Sequence, residues 1–146
     1  MPEHNGLSPG LLPELLGYHL RRAQLSVFAD FVRAMGATEL TPGQFGVLAL
    51  IAANPGLSQS ALGRAIGIER STVVPVIDRL ERRGLVVRGQ AEGDRRVHAL
   101  TLSTAGEKLF REASRRVRAH ERRIARDLTP AEARALTGLL KKIVRS

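Results

Sequence analysis

Several residue types are missing or rare in this sequence, and each absence narrows what the protein can be. The 146 residues include no cysteine, no tryptophan, one tyrosine and four phenylalanines. Without cysteine, disulfide bonds, thiolate metal sites and thiol-based redox sensing are excluded. No stretch approaches the ~18 consecutive apolar residues of a membrane-spanning helix, and residues 1–10 lack the basic and apolar regions of a secretory signal. We therefore expect a cytoplasmic protein whose first ten residues are flexible.

Acidic residues are also scarce relative to basic ones. Lysine and arginine total 23 against 14 aspartates and glutamates, which gives a formal net charge of +9. An excess of this size favours a polyanionic partner, with nucleic acid as the first candidate. A membrane surface is the weaker alternative, because an interfacial helix would usually carry tryptophan or phenylalanine opposite its charges. With 43% hydrophobic residues, the chain suits one domain with its own core.

Motifs of enzymes and metal sites are missing as well. The sequence contains no glycine-rich phosphate loop, no HExxH and no nucleophile elbow. The four histidines, His4, His19, His98 and His120, are scattered and form no metal-ligand pattern. We therefore expect no catalytic residues, no metal and no cofactor.

Helical periodicity dominates the first third of the chain. Apolar residues recur at helical spacing over residues 11–36 and predict a long first helix. Thr41 and Pro42 supply a capping hydroxyl and a first-turn proline for a second helix, which is expected to end near Asn54.

The next segment predicts two helices joined by a tight turn. A short third helix is expected over residues 59–66, capped by Ser58. A fourth helix over residues 69–83 is expected to end at Gly84. The apolar residues of the fourth helix recur at spacings of three and four and are Val73, Val76, Ile77 and Leu80.

The periodicity changes after the fourth helix. Residues 85–88 and 96–102 read as strands, and the polar stretch between them predicts a turn. Ser103 or Thr104 then caps a fifth helix, with Glu107 as the capping-box carboxylate three residues after Thr104. The run of lysine and arginine on this helix is typical of a solvated face, and long-range attraction to DNA is the alternative.

A sixth helix begins with Thr129 as its cap and Pro130 in its first turn. Its apolar stripe consists of Leu136, Leu139, Leu140 and Ile143. This stripe and that of the first helix have no partner within so small a domain. Burial against a second copy of the chain is the economical explanation, so we expect a homodimer.

The order of these elements indicates a fold. Two helices, a turn and an immediate hairpin predict a mainly α protein with a small β-hairpin wing, a winged helix-turn-helix. We expect a single domain over residues 11–146, with a DNA-binding lobe over 41–102 and dimerisation helices over 11–36 and 104–146. A dimer predicts a pseudo-palindromic DNA operator whose half-sites lie about one helical turn, ~10 bp, apart.

Short motifs follow one another in a specific order along the chain. They are Leu40–Phe45, Ser58–Gly63, Glu69–Val73, Ile77–Val86, Asp94–Arg96 and Leu102–Gly106. Together they resemble the MarR family of bacterial transcription regulators, from Leu11 to the C-terminus. The resemblance implies a triangular homodimer with intertwined first and last helices, two DNA-binding lobes and a ligand cleft between lobe and dimerisation helices. It also implies repression as the default activity.

The start of the fourth helix is the expected base-reading element. Its first-turn side chains and free backbone N–H groups would enter the major groove. We expect base or phosphate contacts from Arg70, Ser71, Thr72 and Val74. Local helix capping is the alternative role of the Ser71 and Thr72 hydroxyls. Pro75 lacks an N–H and crowds the carbonyl of Ser71, so a bend or a shifted helix start is expected there.

The tip of the hairpin is the second expected DNA contact. Asp94 can orient an arginine by a charge-assisted hydrogen bond, and arginine favours a narrow minor groove. Strand alternation sends Arg95 and Arg96 to opposite sides. The family spacing selects Arg96 for the groove and leaves Arg95 to a phosphate or an internal pair; a solvated charged turn is the alternative. Further phosphate contacts are expected from Gln59, Ser60, Arg64, Arg79 and Arg88.

An effector site is expected on the first helix. His19 lies on its apolar face beside Tyr18 and Arg22, with Phe45 of the second helix as the expected neighbour. Arg22 and His19 would suit an anion such as an aromatic carboxylate or an acyl thioester. A buried, satisfied histidine is the alternative account of His19. A winged helix that acts without a ligand, as an architectural or protein-interaction module, is the alternative function.

Overall fold

The computed structural model describes residues 5–66, 70–91 and 94–145, with residues 70–72, 90, 91 and 94–98 described for the backbone alone. Within these ranges the helices are α1 (Leu16–Met35), α2 (Pro42–Ala53), α3 (Gln59–Ile66), α4 (Arg70–Arg82), α5 (Thr104–Ile124) and α6 (Pro130–Ile143). The strands are β1 (Leu57–Ser58), β2 (Val86–Ala91) and β3 (Asp94–Leu102), and 3₁₀ turns at Leu12–Glu14 and Gly36–Thr38 flank α1. This order confirms the predicted winged helix-turn-helix.

Polar caps set the starts of α2 and α6, as the sequence predicted. Thr41 Oγ1 accepts from the Gln44 N–H at 3.1 Å, and the Gln44 side chain accepts from the Thr41 N–H at 3.2 Å. Thr129 and Glu132 make the same reciprocal pair at the start of α6. Each pair satisfies N–H groups that a helix start leaves without an intrahelical partner.

The start of α5 corrects one sequence prediction. Ser103 is the N-cap, and its Oγ accepts from the Gly106 N–H at 2.9 Å. The capping box predicted between Thr104 and Glu107 is therefore wrong. The reason is that Ser103 still has extended backbone (φ −72°, ψ 171°) at the end of β3, so Thr104 is already helical.

The strands form an antiparallel sheet in the order β1–β3–β2. On the central strand, Leu100 pairs with Leu57 on one side and with Arg88 on the other. The sequence did not predict β1, because two residues are too few to show alternation. The wing strands are longer than predicted, since β2 reaches Ala91 and β3 begins at Asp94.

The core of the lobe lies between α2, α3, α4 and the sheet. Its buried apolar residues include Val47, Leu48, Ile51, Leu62, Val73, Ile77, Leu80, Leu85, Val86 and Leu100. The α4 positions predicted to be buried are fully buried except for Val76, which packs at the edge. Burying each large apolar side chain is worth roughly 1.5–3 kcal/mol. One chain therefore closes the core of this lobe by itself.

Pro75 lies inside α4 without interrupting it. The helix begins at Arg70, five residues earlier, so of the two expected outcomes the shifted helix start is wrong, and the bend stays a prediction. A proline here removes one helical N–H, which leaves a carbonyl one turn earlier without its usual donor.

The helices outside the lobe are buried much less completely. α1 packs along α5, yet among the residues of α1, all of which are described, only Phe31 and Met35 are buried. α6 is likewise described in full and has no buried residue. The exposed apolar side chains of these two helices include Leu16, Leu25, Phe28, Val32, Leu136, Leu139, Leu140 and Ile143. On α6 these residues are the stripe predicted to pack against a second copy. On α1 the predicted stripe runs through Leu16, Ala23, Val27 and Phe31. It matches less well, because Phe31 is buried within the chain and the exposed Leu25, Phe28 and Val32 lie off the stripe.

A close backbone contact joins the end of α4 to the start of α5. We call the residues Gly84, Leu85, Ser103 and Gly106 the wing clamp. The Ser103 hydroxyl donates to the Gly84 carbonyl, and the Ser103 N–H donates to the Leu85 carbonyl at 3.0 Å. A Cβ on Gly106 would lie 2.0 Å from the Leu85 carbonyl oxygen, so only glycine fits there. The clamp therefore fixes the base of the wing against α5.

Candidate nucleic-acid interface

The amino end of α4 carries the residues expected to read bases. The backbone of Arg70–Thr72 is helical, but their side chains lie outside the described residues, as do residues 67–69 before them. Val74 is half-buried in the second turn. The contacts expected of all four residues therefore stay predictions.

The predicted phosphate contacts of α3 and α4 fall into two groups. Ser60 and Arg64 are exposed and, being four residues apart, share one face of α3. Arg79 is exposed on α4, one turn after Pro75. Gln59 is half-buried and faces inward, towards β2.

The wing carries the second group of residues predicted to contact DNA. β2 and β3 pair from Val86 and Leu102 at the base to Ala91 and Asp94 at the far end. Asp94, Arg95 and Arg96 belong to β3, and their side chains lie outside the described residues, as do residues 92–93. The backbone thus places Asp94 and Arg96 at the end of the ribbon farthest from α5, and their roles stay predictions.

Arg88 is placed differently from the phosphate contact expected of it. Its guanidinium hydrogen-bonds Asp78 and lies 3.4 Å from a Glu81 carboxylate oxygen. With the Gln59 amide oxygen turned towards it, Arg88 also donates to Gln59 from Nε and Nη2, each at 3.1 Å. Asp78 of α4 is thus paired with Arg88 of β2.

Two arginines that the sequence analysis did not single out hold the α1–α2 connection. Arg83 Nη2 donates to the Thr38 carbonyl at 2.7 Å, and Arg116 Nη1 donates to the Ala34 carbonyl at 3.2 Å. Both bonds satisfy carbonyls at or just after the carboxyl end of α1, where a helix leaves them unpaired. The remaining basic run of α5, Lys108, Arg111, Arg115, Arg118 and Arg122, is exposed.

A buried histidine links α5 to α1. His120 is 2% exposed, and its Nδ1 hydrogen-bonds Asp30 at 2.7 Å. Arg123 donates to the same carboxylate at 3.1 and 3.3 Å. The Arg123 guanidinium, followed by the His120 ring, lowers the pKa of Asp30 to about 2 from its usual 3.8. The burial of His120 could have been predicted from sequence, because His120 follows Ala113 and Val117 at helical spacing on the inward face of α5.

The predicted effector residues do not meet within one chain. Arg22 lies over the Tyr18 ring at 5.6 Å, and the Tyr18 and His19 rings are 5.3 Å apart. Phe45 instead contacts the rings of Phe31 and Phe110, at 6.4 and 5.7 Å. Phe31 is nine residues beyond Arg22 on α1, which separates the two groups by about 13 Å along the helix.

His19 itself is exposed in the single chain. The reading of His19 as a buried residue is therefore wrong at the level of one chain. Its Nε2 lies 2.8 Å from the Pro13 carbonyl, so the ring is satisfied by the backbone just before α1. The sequence pattern shows that this face of α1 is apolar, but it does not show whether the face is buried. In one chain the start of α1 is exposed.

Two cavities border α5. One of about 360 Å³ lies against α1 and is lined by Asp30, Arg33, Arg123 and neighbouring residues. A smaller one of about 170 Å³ lies against α2 and includes Phe110 and Arg111. Neither contains the four predicted effector residues. Within the described ranges, no three His, Asp or Glu side chains converge as a metal site would require.

Comparison with known proteins identifies the family. The model of the MarR family matches residues 38–97, from the α1–α2 connection to β3. A protein of Thauera aromatica assigned to the regulation of the hcr operon is 41% identical over 131 residues, covering 89% of this chain and 79% of the relative. The chain belongs to the MarR family of transcription regulators. This membership makes it a DNA-binding protein rather than an enzyme, and MarR-family proteins are dimers.

Solved structures of the family extend the match to three dimensions. The repressor CouR bound to a 23-mer DNA duplex is 43% identical with a TM-score of 0.89, covering 95% of this chain and 99% of CouR. CouR bound to p-coumaroyl-CoA is matched at 40% identity with a TM-score of 0.87, over 96% and 99% of the two chains. Among the described residues, no helix has the length and apolar character of a membrane crossing.

Proposed function

We propose that this MarR-family protein is a repressor that binds a pseudo-palindromic operator as a homodimer and leaves it when an anionic acyl or aromatic ligand binds. The observation that carries the proposal is its likeness to CouR bound to a DNA duplex, at 43% identity over 95% of the chain. Because its partner is DNA, we place its action in the cytoplasm.

Two elements of each lobe would read the operator. α4 would enter the major groove with Arg70, Ser71, Thr72 and Val74, because a helix start offers first-turn side chains and free N–H groups. Ser60, Arg64 and Arg79 support this orientation, because their side chains are exposed and free to contact phosphates beside the groove.

The wing would read the neighbouring minor groove. Its far end carries Asp94, Arg95 and Arg96 on β3. Arg96 would enter the groove, held by Asp94, and Arg95 would contact the backbone or an internal partner. Two such lobes in a dimer need two half-sites about one helical turn apart.

The proposed ligand class is an anionic acyl thioester or aromatic carboxylate. CouR has been solved with p-coumaroyl-CoA, a compound that combines an aromatic acyl group with phosphates. In this chain, Arg22 over the Tyr18 ring brings a cation and an aromatic surface together beside His19. Within one chain Phe45 lies too far from Tyr18, His19 and Arg22 to share a site with them. Phe45 would therefore line the same ligand site only if the partner protomer brings these residues together.

Operator binding and release can be tested together. The dimer is first used to select duplexes from a randomised pool, and the best duplex is compared with a scrambled one at fixed salt. We expect a Kd in the range of about 10⁻⁸–10⁻¹¹ M and a preference of at least ~10³-fold over the scrambled duplex. Adding p-coumaroyl-CoA should weaken operator binding at least tenfold, whereas coenzyme A alone should have less effect.

The outcomes separate the two candidate functions. Selection of no sequence would contradict sequence-specific repression and favour an architectural winged helix. Tight operator binding that p-coumaroyl-CoA, p-coumarate and related aromatic acids all leave unchanged, with no shift in melting temperature, would contradict ligand release. It would favour the ligand-independent function instead.

A further inference from the structure

Arg88 occupies the point where the wing, α3 and α4 meet. We propose that it is a positioning residue, which sets the angle of the wing relative to α4 and does not bind DNA. The inference rests on the proposed use of α4 and the wing as the two elements that read the operator. It replaces the phosphate contact expected from sequence.

The sheet register fixes the direction of the side chain. Arg88 pairs with Leu100, which in turn pairs with Leu57, so the three residues form one row across the sheet. Side chains in such a row point to the same face. Leu100 is fully buried, while Val87, the neighbour of Arg88, is exposed. The Arg88 side chain therefore points to the inner face of the sheet, at the edge of the core.

The contacts of Arg88 join three elements that each carry predicted DNA contacts. Asp78 and Glu81 lie on α4, Gln59 is the first residue of α3, and Arg88 itself lies on β2. The Arg88 side chain is 23% exposed, against 38% for Asp78 and 43% for Glu81, so the cation is the most buried member. A planar guanidinium can hold several acceptors in fixed directions at once, which a lysine cannot.

The charges of this cluster argue against a phosphate contact. Two carboxylates face one guanidinium, which leaves the cluster with a net negative charge when all three are ionised. A DNA phosphate approaching Arg88 would meet this negative charge as well as the cation. Arg88 also lies three residues before the end of β2, about 10 Å from the end of that strand.

Loss of Arg88 has a specific geometric consequence. Asp78 and Glu81 are three residues apart on α4, so they repel each other once the cation between them is removed. The wing clamp would still hold the base of the ribbon, but nothing polar would tie β2 to α4 beyond it among the described side chains. Operator binding needs both elements in their grooves simultaneously, whereas non-specific binding needs only positive charge.

The sharpest test uses the sign of an electrostatic change. The Asp78→Asn/Glu81→Gln variant removes two negative charges. If these carboxylates acted only through their charge, the variant would bind every DNA duplex more tightly. If they position the wing through Arg88, the variant should bind the operator selected from a random pool at least fivefold more weakly, with binding to the scrambled duplex unchanged or tighter. Equal tightening on both duplexes would overturn the proposal. Glu107→Gln, which removes an exposed carboxylate of α5, is the matched control and should not weaken operator binding.

The second test removes the cation. Arg88→Gln should weaken operator binding at least tenfold while the slope of log Kobs against log salt stays unchanged. A phosphate contact predicts that the slope falls by about 0.9 for each contact, with parallel losses on both duplexes, and that result would overturn the proposal. Arg82→Gln, an exposed arginine in the last turn of α4, controls for the loss of one positive charge.

Combining the variants measures the coupling directly. If Arg88 acts through the two carboxylates, the triple variant should bind the operator within twofold of Arg88→Gln alone. Losses that multiply would show independent roles and overturn the proposal.

Thermal melting identifies any variant that does not fold. In that case Arg88→Lys, which keeps the charge but not the planar guanidinium, should still lose operator preference. A wild-type dimer that selects no sequence would instead contradict the proposed function.

Discussion

The lobe and the helices outside it differ in how completely they bury their apolar residues. The lobe buries Leu48, Leu62, Ile77 and Leu100 completely within one chain. α1 and α6 leave most of their large apolar side chains exposed, and Leu139 is 57% exposed. The lobe therefore buries its core within a single chain, whereas α1 and α6 leave apolar faces that we propose a second copy covers. On this proposal, similar hydrophobic patterns in sequence lead to self-contained packing in one region and to assembly in the other.

Apolar and polar contacts both join the two regions: the Phe45 ring packs against Phe31 and Phe110, and several polar bonds end on backbone carbonyls. The wing clamp ties α4 and β2 to α5 through carbonyls, and Arg83 and Arg116 bond carbonyls of the α1–α2 connection. Such bonds fix distance and direction more closely than apolar contact does. The polar part of this junction thus depends on a few named groups, and each can be removed separately.

The largest effect is expected at the clamp itself. Gly106→Ala would place a Cβ 2.0 Å from the Leu85 carbonyl oxygen, and a backbone atom cannot move aside cheaply. We expect a loss of about 3 kcal/mol or more in the free energy of unfolding, measured by urea denaturation at fixed dimer concentration. Gly46→Ala in α2, where a Cβ meets nothing within 4 Å, is the control; it should be neutral or stabilise by up to ~1 kcal/mol. Equal stabilities of the two variants would show that the contact is not tight.

The second prediction separates assembly from folding. Leu139→Asp should give monomers in sedimentation experiments, because it puts a charge on a face that only a second copy buries. Operator binding should fall by ~100-fold or more, since the two half-sites are no longer bound by linked lobes. The lobe should keep its slow amide exchange. Val87→Asp, on an exposed residue of the lobe, should leave the dimer intact. A stable Leu139→Asp dimer would contradict the assignment of α6 to the interface.

The third prediction concerns the wing tip. Arg96→Ala should weaken operator binding by more than tenfold at moderate salt, which is about 1.4 kcal/mol, and should leave the dimer and its melting temperature unchanged. Arg95→Ala is the matched variant and should lose less, because strand alternation turns it to the other side. Fluorescence anisotropy with the selected duplex measures both. Unchanged affinity for Arg96→Ala would remove the wing from the binding mechanism.

The smallest effect is expected outside the lobe, at Asp30. Its depressed pKa means that its contribution to folding is complete above the ordinary value of 3.8 and is lost as pH falls towards about 2. Arg123→Gln removes the largest cause of the shift, so the pKa of Asp30 should rise and stability should fall less steeply between pH 5 and 2. Carboxyl chemical shifts and denaturation at several pH values measure this. Arg122→Gln, on the exposed face of α5, should reproduce the wild-type curve; an identical curve for Arg123→Gln would show that Arg123 does not hold the carboxylate.

Local signals predicted the elements of the fold well. Thr41 with Pro42 and Thr129 with Pro130 mark the starts of α2 and α6 within one residue, because a helix start needs these groups whatever surrounds it. The order of elements predicts the winged helix-turn-helix, and the apolar stripes of α1 and α6, which have no partner in so small a domain, predict the dimer. β1 was missed because its two residues are strand only through their pairing with β3.

Contacts between distant residues were the part that the sequence could not provide. The sequence predicts a phosphate contact for Arg88, but an arginine on a wing strand can face either DNA or protein, and only the pairing with Leu100 shows which. Arg116 and Arg123 belong to a basic run whose pattern predicts a solvated face, although their partners, Ala34 and Asp30, lie 82 and 93 residues away in sequence. Gly106 looked like an ordinary helix residue for the same reason.

The wing clamp divides the hairpin into a fixed part and an exchangeable part. Gly84, Leu85, Ser103 and Gly106 hold both ends of the hairpin by backbone contacts that do not depend on what lies between them. Substitutions around Ala91 and Asp94, at the end of the ribbon that we propose contacts DNA, should therefore leave the junction with α5 undisturbed. In evolutionary terms, a regulator built this way can acquire a new operator by altering a few tip residues while it keeps its dimer and its ligand response.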